Sequence, residues 1–185
     1  MNILALAGSL RAASINAAFC RAAARLAPAP LQVHVFEGLG ALPLFNPDLD
    51  NDAPPAVRAF RRRVDSSDAL LIASPEYAHG VSGVMKNALD WLVSFEGTVN
   101  KPVALVNTSP RAHHAYDALA ETLRTMSLDL VGAASITVPL LGTCVTEETM
   151  LASPDVSALV RQMCAALSAH LAGNSRDAPG RFALI

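Results

Sequence analysis

Side chains that could do chemistry gather in three short segments. The first, residues 8–16, reads Gly-Ser-Leu-Arg-Ala-Ala-Ser-Ile-Asn. Ser9, Ser14 and Asn16 offer side-chain donors, and Arg11 offers a guanidinium matched to phosphate oxygens. A helix starting here would add the free N–H groups of its positive end. This set could cradle an anion the size of a monophosphate, with Gly8 giving a tight entry turn. A plainer reading fits the same residues: Ser14 and Asn16 cap a helix and Arg11 is a surface charge. The second segment, residues 74–83, reads Ser-Pro-Glu-Tyr-Ala-His-Gly-Val-Ser-Gly. Pro75 fixes the turn, while Gly80 and Gly83 leave the backbone open to a flat ligand. The amides between them could address the edge of a heteroaromatic ring. Glu76 is a candidate base with no identifiable partner, His79 a candidate substrate contact, and Tyr77 a ring that packs on a ligand or fills the loop. The third segment is residues 107–111, Asn-Thr-Ser-Pro-Arg.

Several chemistries find no support. GxxxxGK[ST] and GxGxxG are both missing, so neither a Walker A loop nor the usual dinucleotide turn is expected. The first segment has no acidic pair to hold Mg²⁺. GxSxG is missing too, so no serine is marked as a nucleophile. His113 and His114 are adjacent and would diverge on a helix, which argues against a shared metal.

The elements that must position these segments follow from hydrophobic pattern. Apolar runs at residues 3–7, 31–36, 69–73, 103–106 and 131–138 read as parallel strands covered on both faces. Between and after them lie helical stripes. Ile15, Phe19, Ala22 and Leu26 form one, and Val57, Phe60 and Val64 another. Val84, Ala88 and Leu92 form the third, Leu119, Leu123 and Met126 the fourth, and Val156, Val160, Met163, Leu167 and Leu171 the last. Ser153, Pro154 and Asp155 mark the start of that last helix. Arg61, Arg62 and Arg63 are expected on the wet face of the second. Five βα repeats imply one α/β domain with a parallel sheet and right-handed crossovers. The domain is expected over residues 1–173, with 174–185 a loosely held C-terminal tail. Ligands of such sheets bind beyond the carboxyl ends of the strands, near the switch in strand order, where all three segments fall.

Composition bounds the function. The chain has 185 residues, 52% hydrophobic and 16% charged, with a net charge of -2. That suits one ordinary domain and excludes disorder. No basic stripe suggests a nucleic-acid partner, and no apolar run reaches membrane-spanning length. Cys20, Cys144 and Cys164 are scattered, as thiols are in a reducing cytosol. The first residues lack the basic start of a secretory signal. A cytoplasmic protein is expected.

With these residues in view, the sequence resembles the NAD(P)H-dependent FMN reductases. Residues 8–16 match their GSLR-x-x-S-x-N motif. Ser74-Pro75-Glu76-Tyr77, followed by Gly83-Val84-Met85-Lys86-Asn87-Ala88-Leu89-Asp90-Trp91, resembles their (S/T)-P-E-Y…G-x-L-K-N-A-x-D-W. Leu42-Pro43-Leu44-Phe45-Asn46 with Asp48 resembles their LPLFN loop. The resemblance implies a flavodoxin-like three-layer sandwich with a five-stranded parallel sheet in the order 2-1-3-4-5. It implies FMN as cofactor and NADPH or NADH as reductant. Hydride would pass to flavin N5, and electrons then to flavin, a quinone or a similar small-molecule acceptor. Ser9, Arg11, Ser14 and Asn16 would hold the phosphate. Pro75, Glu76, Tyr77, Ala78 and Gly80 would line the ring system largely through backbone atoms, with Ser109 flanking it. A homodimer or homotetramer would form near the helix containing Asp90 and Trp91, although Trp91 also reads as ordinary core. Since the flavin carries the chemistry, no catalytic side chain is implied. A flavodoxin-type electron carrier and a non-catalytic flavin-binding regulator are the competing readings. The chain departs from the family pattern twice. Ala78-His79 replaces the Asn common after Pro-Glu-Tyr, and residues 108–114 lack the paired glycines common after the fourth strand.

Overall fold

The computed structural model describes residues 1–109, 111, 113–140, 142 and 144–177. Strand β1 (Asn2–Ala7) is the second strand of the sheet, paired in parallel with the edge strand β2 (Gln32–Phe36) on one side and the central β3 (Ala69–Ala73) on the other. A short antiparallel hairpin follows β3, formed by β4 (Glu76–Tyr77) and β5 (Gly80–Val81). Strand β6 (Pro102–Asn107) pairs with β3, and β7 (Asp129–Leu130) and β8 (Ile136–Thr137) both pair with β6 in parallel. The order β2-β1-β3-β6-β7 is the expected five-position sheet.

Strand side chains alternate between two cores, as the period of two requires. Ile3, Ala5, Ala7, Ala69, Leu71, Ala73, Ala104 and Val106 face helices α1 (Ile15–Leu26) and α6 (Pro154–Asp177). Leu4, Leu6, Leu70, Ile72, Val103 and Leu105 face α2 (Pro55–Asp65), α3 (Gly83–Asp90) and α4 (His113–Thr125). The first face is alanine-rich on the sheet and on α1, through Ala18, Ala22 and Ala23. Small residues on both sides let α1 sit close, so its N-terminus lies against the ends of β1 and β3.

Four features differ from the pattern reading. The run 131–138 is not one strand: β7 ends just before it at Leu130, a 3₁₀ turn occupies Gly132–Ala134, and β8 covers just Ile136–Thr137. Across the break, the Leu105 N–H donates to Ser135 Oγ at 3.1 Å, so a side chain stands in for a ladder carbonyl. The stretch 139–153, to which the sequence pattern assigns no element, contains α5 (Glu147–Ala152), opened by a reciprocal Thr146–Thr149 capping box. Six residues are too few for a hydrophobic period to register. Helix α5 is fastened to α1 through Glu147, 3.0 Å from Arg21 and 3.6 Å from Arg25. Arg61 is not on the wet face. It donates to the Trp91 carbonyl at the end of α3, pairs with Asp50 and lies 5.6 Å from the Phe95 ring; Arg62 and Arg63 are exposed as expected. Finally, α6 runs past Gly173 to Asp177. Among the described residues, no helix is long and apolar enough to cross a membrane.

Candidate functional site

Successive crossovers diverge on either side of β1, which opens a crevice beyond the carboxyl ends of β1, β3 and β6. The three polar segments meet there. Gly8 continues the ladder by donating its N–H to the Ala73 carbonyl at 2.8 Å. A Cβ at Gly8 would stand 2.9 Å from Ser74 Cβ, so glycine is required by close approach of two strand ends rather than by an unusual turn. Ser82, which pattern reading passed over, ties the crevice together. Its hydroxyl donates to the Gly8 carbonyl at 2.6 Å and accepts the Met85 N–H at 3.2 Å as the cap of α3. A serine immediately before a helical stripe is the available sequence signal.

In the first segment Ser14 does cap α1, accepting the Ala17 N–H at 3.2 Å. The other first-turn amides of α1 have no intrahelical acceptor. Asn16 is buried, and its Oδ1 accepts the Thr108 hydroxyl at 2.9 Å. It therefore bridges the first and third segments through its oxygen, which leaves its Nδ2 as a donor. Thr108 lies in the third segment, but its pairing with Asn16, 92 residues away, is not legible in the sequence. Arg11 is exposed and forms no ion pair among the described residues, and Ser9 is half-buried. Beside this segment lies a hollow of about 250 Å³, lined by Ala12, Ala13, Ser14 and Arg21 and by the start of α5.

The second segment is the β4–β5 hairpin. Ala78 and His79 form its tip with φ of 50° and 60°, a left-handed pair normally given to Asn-Gly. Each such L-residue costs about 1–2 kcal/mol. Two contacts fasten this hairpin to α4. At its foot Glu76 accepts the Ala115 N–H at 2.8 Å, so this carboxylate caps a helix and has a structural task that the sequence did not reveal. At its tip the His79 ring stacks on His114, with centroids 4.3 Å apart and 26° between planes. His113 continues the series, 4.4 Å from His114. Pro75 is half-buried and Tyr77 exposed; no atom lies within 4 Å of a Cβ built at Gly83. In the third segment Asn107 Oδ1 accepts the Ser109 N–H at 3.0 Å, a local turn. Pro110, in the same segment, lies outside the described residues.

The LPLF loop and α3 prove to be one unit. Asn87 accepts the Phe45 N–H at 2.8 Å and donates to the Pro43 carbonyl at 2.9 Å, and Trp91 Nε1 donates to the same carbonyl at 2.8 Å. Trp91 is fully buried core and meets Phe45 edge-on. No thiol is poised for chemistry in the helices: burial pushes Cys20 up to about 12 and Cys164 up to about 11.

A parallel sheet in this order, with three polar segments meeting at its switch point, defines a flavodoxin-like fold. The sequence pattern of the NADPH-dependent FMN reductases matches residues 1–142, and the chain belongs to that family. It is 40% identical over 112 residues to a 2-hydroxy-1,4-benzoquinone reductase from Burkholderia sp., covering 59% of this chain and 61% of that one. It is 39% identical over 115 residues to a quinone reductase of Pseudomonas putida, covering 60% and 61%. The chain thus aligns with about three fifths of the length of these relatives. Among solved structures it resembles FerB, a flavoenzyme NAD(P)H:(acceptor) oxidoreductase from Paracoccus denitrificans, with a TM-score of 0.70 and 25% identity over 91% of this chain and 98% of that one.

Proposed function

We propose that this protein is an FMN-dependent oxidoreductase that takes reducing equivalents from NADPH or NADH and passes them to a quinone or similar small-molecule acceptor. The carrying observation is the uncommitted donor set of residues 8–16. Arg11 is free of ion pairing among the described residues, Asn16 keeps an N–H₂ group in hand, and α1 presents its positive end beside them. Such a set suits a phosphate monoester. Ser9, Arg11, Ser14 and Asn16 would hold the FMN phosphate. Pro75, Glu76, Tyr77, Ala78 and Gly80 would line the ring system through their backbone, with Ser109 at the flank. FMN, when bound, supplies the hydride and electron chemistry. The chain's share is to bind, orient and shield, which is consistent with a Glu76 carboxylate occupied in capping rather than free as a base.

Among the relatives, the Burkholderia and Pseudomonas proteins carry quinone-reductase names, which favours a quinone-class acceptor here. Self-association to a dimer or tetramer belongs to the same reading, supported by Val93 and Val99 standing exposed beyond α3. So does a reducing, cytoplasmic setting, supported by three unpaired thiols. The test is a titration of the purified chain with FMN, followed by anaerobic addition of NADPH. Binding and then loss of flavin absorbance is expected. Absence of FMN binding overturns the reading, and binding without bleaching replaces the enzyme with a carrier.

A further inference from the structure

We infer that the stacked imidazoles of His79 and His114 form a clamp that fixes the hairpin tip as one wall of the acceptor side of the site, selecting neutral, planar, carbonyl-bearing acceptors. This rests on the reading above. The hairpin tip and the first turn of α4, 35 positions apart in the chain, meet through these rings.

The tip needs such a partner. Ala78 and His79 both hold positive φ without a glycine or asparagine, and the hairpin has just two residue pairs, Glu76 with Val81 and Tyr77 with Gly80. A left-handed pair on so short a ladder persists when something outside it fixes the tip. Glu76 anchors the foot on Ala115. The His79–His114 stack anchors the tip, and both anchors belong to the first turn of α4.

The chemistry of the wall follows from what it exposes. His79, His113 and His114 are all solvent-facing and their rings form a continuous series. Imidazole presents a flat face and an edge N–H, which suit an aromatic ring bearing a carbonyl oxygen. An anion is less well served, because the Glu76 carboxylate already occupies the positive end of α4 at 2.8 Å. In this arrangement His79 touches the acceptor and His114 is a positioning residue that acts through it.

Amide hydrogen exchange and steady-state kinetics test both halves. In the FMN-free chain, His114→Ala is expected to lower protection of the hairpin amides about tenfold, a local opening rather than global unfolding. In the FMN-loaded enzyme it raises KM for duroquinone about fivefold, the scale of one hydrogen bond. Meanwhile kcat, the FMN Kd and the KM values for NADPH and for ferricyanide, an anionic acceptor, all stay within about twofold, the scale of a site left untouched. His114→Phe keeps a stacking ring and rescues both protection and KM. His79→Phe keeps protection yet leaves the duroquinone KM raised. Unchanged protection and KM in His114→Ala overturn the proposal. So does a shift that falls on NADPH or ferricyanide instead, which would make the rings a reader of anions. A wild-type chain that binds no FMN overturns the earlier reading and the wall with it, while the exchange arm still decides the clamp.

Discussion

Residues 8–16 and residues 76–81 flank the same crevice, and they take their shapes from different causes. The first segment is built locally. Ser14 caps the helix it precedes, the donors lie within eight positions of one another along the chain, and the long-range ties that seat it are at its ends, Gly8 to Ala73 and Ser82 and Asn16 to Thr108. The hairpin is built at a distance. Its tip is strained, its foot caps a helix 39 residues on, and its ring partner lies 35 positions away, at His114. A local motif keeps its shape if its own residues are right. A remote one depends on every partner, and so is where a single chain can diverge from its relatives and acquire its own selectivity.

Substitutions can break that contrast, in descending order of effect. Trp91→Ala, which empties a buried site shared by the LPLF loop and α3, is expected to cost about 3–5 kcal/mol in denaturant unfolding. It should loosen the scaffold under both segments. Arg11→Ala is expected to weaken FMN binding by about 1.5–3 kcal/mol and to leave stability within about 0.5 kcal/mol; calorimetric titration beside a thermal melt reads both. An unchanged Kd would remove Arg11 from the phosphate site. Glu76→Gln keeps an acceptor but removes its charge at α4, and should destabilise by about 0.3–1 kcal/mol with the FMN Kd unmoved. A large loss of FMN affinity would give the Glu76 carboxylate, and not just its backbone, a part in holding FMN. Ala78→Gly relieves a left-handed alanine but frees the unfolded chain, for a net gain of about 0.5 kcal/mol, seen as a small rise in Tm.

A pH profile sharpens the contrast from outside the crevice. The Ser94 hydroxyl and the Arg61 guanidinium hold the Asp50 carboxyl below its usual range. The folded state therefore binds fewer protons than the unfolded state near that range. This stabilisation is complete above the ordinary carboxylate pKa and is lost as pH falls through the lowered one. Asp50→Asn should flatten the acid limb of the stability profile and leave it unchanged near neutrality apart from a constant offset.

What could be read in the sequence follows the range of the interactions. The strand cores at residues 3–7, 69–73 and 103–106 were legible because burial on both faces leaves an unbroken apolar run. The fifth position reads as one strand in the sequence, since Gly132-Ala133-Ala134 is apolar enough to hide a turn that Ser135 completes against Leu105. Arg61 looked like its neighbours until the fold placed the Trp91 carbonyl and Asp50 beside it. In the sequence His114 is half of an adjacent pair, and nothing in its neighbourhood announces a ring 35 positions away.

The sequence by itself determined the layered α/β fold, the donor set of residues 8–16 and the family, because each depends on neighbours within a few positions or on a repeating apolar period. Tertiary structure alone decided that Gly8 must be glycine, that Asn87 and Trp91 hold the LPLF loop, that Glu76 is a cap, and that two imidazoles lock a strained tip. Those outcomes turn on which chain ends the sheet brings within a few ångströms of one another. Parallel strands joined by long crossovers place at one edge residues that are far apart in the chain.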